Sequence, residues 1–159
     1  MIWVNRPSME DIKLFFSKSM EAHMGFEFCE MGNDYITGKI EISDHHRQPI
    51  GVLHGGTGAA FSESLANLGT HLTIDLDHFY GLCVDLNINH LRPVRSGTIY
   101  GKATALHLGR RTQVWNVEIK DKYNQLISAA RVTKALIEHK DHAPLQEVFN
   151  PLIDAKKDN

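Results

Sequence analysis

Apolar residues Ile12, Phe15, Phe16 and Met20 recur at helical spacing, and Ser8 stands three residues before Asp11 in the pattern of a capping box. Together they predict a first helix running to about Met20. A short apolar segment flanked by Gly25 and Gly32 follows. From Tyr35 to Ile42 the period changes to two, with Ile36, Gly38, Ile40 and Ile42 on one side and Thr37, Lys39 and Glu41 on the other, which predicts a strand. Ser43 to Pro49 is polar and reads as a loop. It leads through Gly51-Val52-Leu53-His54-Gly55-Gly56 into a second helix over Thr57 to Leu72.

That helix carries an apolar stripe of Phe61, Leu65, Leu68 and Leu72, yet Gly58, Ala59, Ala60, Ala66 and Gly69 keep the rest of its surface small. Small residues admit other backbones on several sides, as for a helix wrapped by a sheet. Four alternating runs come next: Leu82 to Leu91, Ile99 to His107, Gln113 to Asp121 and Gln125 to Ile137. Their connections are too short for parallel crossovers, so they predict an antiparallel meander. The expected class is α+β, a long central helix against one antiparallel sheet, over residues 1–139. Residues 140–159 carry Pro144, Pro151 and a charged end, and read as a tail that is either loose or a short docked helix.

The 159 residues, 42% hydrophobic and 23% charged, have the composition of one globular domain. A chain of this length buries roughly 70% of its unfolded surface, so no disulfide or metal is required to hold it. Seventeen basic against nineteen acidic residues give a net charge of −2, which argues against a nucleic-acid binder. No stretch approaches the roughly 20 apolar residues of a membrane helix, and no leader pattern is present at the start, so the expectation is a cytoplasmic protein without a membrane partner. Cys29 and Cys83 lack C-x-x-C spacing, and Cys83 reads as a small core residue in a strand. His45, His46, His54, His71, His78 and His90 form no ligand-spaced pair, so no metal is expected. Ser62 and Ser64 do not form G-x-S-x-G.

The Gly-rich entry to the second helix presents unpaired N–H groups and the positive end of a helix dipole, a place to polarise a carbonyl or hold an oxyanion. Glu63 and Asn67 stand four residues apart on one face of that helix. A carboxylate held in so enclosed a setting loses hydration and becomes a candidate base or nucleophile; the competing reading is a solvated edge residue. Arg92, Arg95, Lys102, Arg110 and Arg111 gather near predicted strand ends and suit a polyphosphate ligand.

Four segments in order, Gln48 to Gly56, Glu63, Asn89 to Gly97 and His107 to Trp115, resemble the hotdog-fold acyl-CoA thioesterases, and among them the group of the 1,4-dihydroxy-2-naphthoyl-CoA hydrolase and the enterobactin proofreading thioesterase. The resemblance runs from the N-terminus to about Ile137. It implies a hotdog fold, a homodimer or homotetramer (dimer of dimers), an acyl-CoA substrate carrying an aromatic or aliphatic acyl group, and no cofactor. It also implies roles: Glu63 as the catalytic carboxylate, Gly55 as the N–H donor to the thioester carbonyl, and Gln48 and His54 as polar groups around that carbonyl. Asn67 occupies a position usually Ser or Thr, thought to place water, which is a departure from the pattern. His90, Leu91, Arg92 and Pro93, with His107, Leu108, Gly109, Arg110, Arg111 and Thr112, match segments that contact CoA. A non-catalytic acyl-CoA-binding module and a thioesterase acting on carrier-protein thioesters are the alternatives.

Overall fold

A computed structural model describes residues 1–139 and 143–153. Ser8 caps helix α1 (Met9–Phe16): its hydroxyl accepts from the Asp11 N–H, while Asp11 Oδ2 accepts from the Ser8 N–H at 2.9 Å. The helix stops short of Met20. Ser17 and Ser19 turn their hydroxyls back onto the carbonyls of Leu14 and Phe16, at 2.7 and 2.8 Å, and so satisfy the last turn. One further turn, α2 (Met20–His23), follows.

The segment between Gly25 and Gly32 is a strand, β1 (Glu27–Met31), paired with β2 (Tyr35–Glu41). Its register slips between Phe28 and Glu30, which breaks the alternation that would have marked it as a strand. After helix α3 (Gly55–Leu72) come β3 (Phe79–His90), β4 (Thr98–Leu108), β5 (Thr112–Asp121) and β6 (Leu126–Glu138). All pairs are antiparallel, in the order β1-β2-β4-β5-β6-β3. The expected meander therefore holds for β4, β5 and β6 but not for β3. Instead of pairing with β4, β3 takes the free edge of β6, and β2 takes the other edge of β4. Residues 91–97 bridge the gap: seven extended residues reach roughly 24 Å, more than the ~14 Å across three strand spacings.

α3 packs against β2, β3, β4, β5 and β6, the hotdog arrangement. Gly38 and Gly101 face each other across β2 and β4, and a Cβ on Gly101 would lie 2.5 Å from Leu65 and 2.7 Å from Phe61. The helix side chains thus descend to bare backbone. Gly69 meets Trp115 in the same way, at 2.7 Å from a would-be Cβ. At the end of α3, buried Asn5 donates to the carbonyls of His71, in the last turn, and Ile74, just beyond it, at 2.9 and 2.8 Å.

Within the tail, residues 143–153 form a docked helix, α4 (Ala143–Ile153), whose Phe149 and Leu152 are buried. Phe149 stacks on Phe15 of α1 and lies against the His71 ring. The rest of the tail, 140–142 and 154–159, lies outside the described residues. No described helix is long and apolar enough to cross a membrane.

Candidate active site

The loop before α3 is built to deliver a helix start. Gly51, at φ +81°, turns the chain so that its N–H donates to Gln48 O at 2.8 Å, and the Gln48 N–H donates to Val52 O at 2.9 Å. Buried His46 fixes the same loop, its Nδ1 accepting from the Ser43 N–H and its Nε2 bonding Met24 O at 2.7 Å. His54 is the N-cap of α3. Its Nδ1 accepts from the Gly56 N–H at 2.8 Å, so in the neutral ring the proton sits on Nε2, which is left to donate outward. Thr57 and Gly58 donate to His54 O. Among the described residues the Gly55 N–H has no acceptor, and it stands at the positive end of an 18-residue helix.

His90, at the end of β3, lies directly over this helix start. A Cβ on Gly55 would be 2.8 Å from His90 Nε2, and His90 Nδ1 bonds Ser128 Oγ at 3.0 Å. Gln48, Gly55, His90, Leu91, Arg92 and Pro93 line one cleft of about 350 Å³. The structure thus brings together residues from two distant sequence segments.

Glu63 and Asn67 are elsewhere. From Phe61 to Leu72 they are the helix residues left partly open, and the strip continues through Ala60 and Gly56 along one line of the helix. Glu63 is 30% exposed rather than shut away, and its Oε1 accepts from Lys134 Nζ at 2.5 Å. Lys134 is 1% exposed, and the sequence pattern did not single it out. A signal existed: Ala130, Val132, Lys134 and Leu136 form one inward row of β6, and a charge in such a row requires a partner. Beside it, the buried His71 ring accepts from the Gly81 N–H at 3.2 Å and is pushed down to about 3 by burial and by the Lys134 ammonium.

The five basic residues do not form one cluster. Arg95 donates to Ile50 O, and Lys102 lies over the Tyr35 ring. Arg92 Nε donates to Leu126 O at the start of β6, whereas Arg111 O accepts from the Leu136 N–H ten residues further along, roughly 33 Å for an extended strand. Arg110 and Arg111 line a cleft of about 850 Å³ with Phe79, Leu136 and Glu138. They belong to the tight β4–β5 connection, where the Gly109 N–H donates to Thr112 O, and where the His107 ring and that carbonyl leave no room for a side chain at Gly109. Leu108 closes β4. Cys83 is not a core residue: it is exposed, because β3 is an edge strand.

Residues 50–128 match the model of the Thioesterase superfamily. The 1,4-dihydroxy-2-naphthoyl-CoA hydrolase of Escherichia coli is 30% identical over 138 residues, 86% of this chain and 100% of that protein. The chain belongs to the thioesterase superfamily. A solved thioesterase from Haemophilus influenzae superposes with a TM-score of 0.85 at 34% identity, covering 90% of this chain and 99% of that one. A thioesterase from Pseudomonas aeruginosa does so with 0.85 at 29%, covering 87% and 100%. This thioesterase is therefore a hydrolase on the hotdog fold, with its helix start and its Glu63 carboxylate both inside the family-matched region.

Proposed function

We propose that the protein hydrolyses acyl-CoA thioesters to free acid and CoA at sites shared between two copies of the chain, with Glu63 as general base or nucleophile. The observation that carries this reading is a separation. Gly55 and Glu63 are eight residues apart on one helix, about 12 Å of axial rise, while one reacting carbonyl needs both within about 3 Å. The two groups of one chain cannot serve one carbonyl.

The edge strand β3 supplies the remedy. Glu63 is tied through Lys134 to the level of Cys83 near one end of β3, and Gly55 is tied through His90 to the other end. Two β3 strands paired antiparallel about a two-fold axis bring the first end of each against the second end of the other. Glu63 then faces Gly55 of the partner subunit. The same operation brings Arg110 and Arg111 toward the partner subunit's Arg92, which restores a basic site for the CoA phosphates. In that site the Gly55 N–H and the His54 Nε2–H stabilise the oxygen that becomes negative, and Gln48 and Asn67 supply polar contacts to carbonyl and water. As base, Glu63 takes a proton from the water whose oxygen bonds the carbonyl carbon, and returns it to the thiolate as the C–S bond breaks; as nucleophile, it bonds that carbon itself, the thiolate leaves, and water hydrolyses the resulting anhydride to free acid and Glu63. The assembly is a dimer or a dimer of dimers.

Glu63→Gln should lower turnover of the best acyl-CoA by about 100-fold or more with the fold intact. Refolding that variant together with an inactive His54→Ala chain should restore part of the activity, because hybrid dimers contain one site with both groups. Near-normal turnover by Glu63→Gln would overturn the role of Glu63; proven hybrid dimers without rescue would overturn the shared site.

A further inference from the structure

We propose that Lys134 is a positioning residue for hydrolysis, its buried ammonium holding one oxygen of Glu63 so that the other is presented to the reacting group. The proposal rests on the reading of Glu63 given above.

Lys134 lies on β6 between Cys83 of β3 and Gln113 of β5, with its side chain turned toward α3. Among the described residues Glu63 is the one carboxylate in ion-pair contact with it, at 2.5 Å through Oε1, and Glu63 Oε2 has no partner. The groups facing the ammonium from the neighbouring elements add no compensating charge. Gln113 is neutral and occupied with Thr73 and Trp115, and His71 is held neutral. Cys83, exposed as a residue at the sheet edge, has a thiol that partial desolvation pushes up, so it adds no negative charge. An almost fully buried cation with a single counter-charge fixes that counter-charge firmly, because releasing it leaves the lysine uncompensated.

The partner it fixes lies on the open strip of α3, where a free glutamate would sample several rotamers. Position matters here: a displacement of about 1 Å of a reacting group can lower a rate by about 100-fold. A purely structural role is poorly served by this arrangement. Apolar residues in the inward row at Ala130, Val132 and Leu136 stabilise a sheet without desolvating a charge, and replacing a buried ion pair by such residues is often neutral or stabilising.

The test uses the full chain with its best acyl-CoA and follows thiol release. Lys134→Met, which keeps length and removes the charge, should lower kcat by roughly 10- to 100-fold while KM stays within about threefold; Lys134→Arg should recover part of the loss, and Lys134→Gln less. In the Glu63→Gln background, Lys134→Met should have no further effect, since the lysine acts through that carboxylate. Unchanged kcat in folded Lys134→Met would overturn the proposal, as would an equal loss in both backgrounds or a rise confined to KM. Failure of all three variants to fold would reduce the pair to scaffolding and also overturn it. If Glu63→Gln itself is fully active, the failure lies with the role of Glu63, and it is seen before any lysine variant is measured.

Discussion

His71 owes its protonation state to its surroundings. Buried near the end of α3, with Nε2 accepting from Gly81 and Nδ1 without a partner among the described residues, it stays neutral down to about pH 3. In the unfolded chain the same ring protonates near 6.5. Between these values the unfolded state binds a proton that the folded state refuses, so stability falls as pH falls through the window and is unaffected above it. The slope should approach ~1.4 kcal/mol per pH unit below pH 6. Unfolding free energies from denaturant titrations between about pH 7 and 5.5, above the carboxylate midpoints near 3.9 and 4.3, should fall toward that slope in the parent and less steeply in His71→Leu. Equal slopes would show that another group controls the acid limb. The histidine was visible in the sequence; its confinement was not, since Phe149, Gly81 and Lys134 reach it from three other elements.

At the scale of elements, β3 is the edge strand on which the proposed dimer depends. It is twelve residues long and lies at the sheet edge, with Leu82 and Val84 exposed at 50% and 63%. A long edge with exposed apolar residues and unpaired backbone groups is a template for another strand. Val84→Lys places a charge on that edge and, with sites shared as proposed, should give a monomer at micromolar concentration, read by light scattering, with turnover falling at least tenfold. A variant that remains dimeric and active would move the interface to another surface. The strands themselves were legible from alternation, because Thr98–Leu108, Thr112–Asp121 and Leu126–Glu138 each keep one face on the core. β1 was not, because its slipped register leaves no clean period.

For the whole molecule, the distribution of charge bears on how the proposed acyl-CoA substrate would be held. Arg92 and the Arg110–Arg111 pair stand at opposite ends of β6 in one chain, so together they serve one ligand only across two chains. Contacts remote from the scissile bond act about equally in ground and transition states, so replacing Arg110 and Arg111 by Ala should raise KM for acyl-CoA several-fold with little change in kcat. Added salt should imitate the substitution, because exposed charges are screened over roughly 8–10 Å at physiological ionic strength. A short thioester lacking the nucleotide should show little salt dependence. Unchanged KM in the double variant would place the nucleotide on another surface.

What the sequence determined by itself is local: a capped first helix, a long helix with an apolar stripe and small flanks, strands of period two, and a Gly-rich entry with His54 ahead of Glu63. These follow from neighbours a few residues apart, whose spacing is the period of the element. Tertiary structure alone decided that β3 lies beside β6, that the His90 ring lies over Gly55, and that Lys134 reaches Glu63 across 71 residues of sequence. Each depends on strand register, which is set by the combined burial of whole faces rather than by any one segment. A candidate carboxylate could be named from the chain; the cation paired with it became visible only when a sheet laid its inward row against the helix.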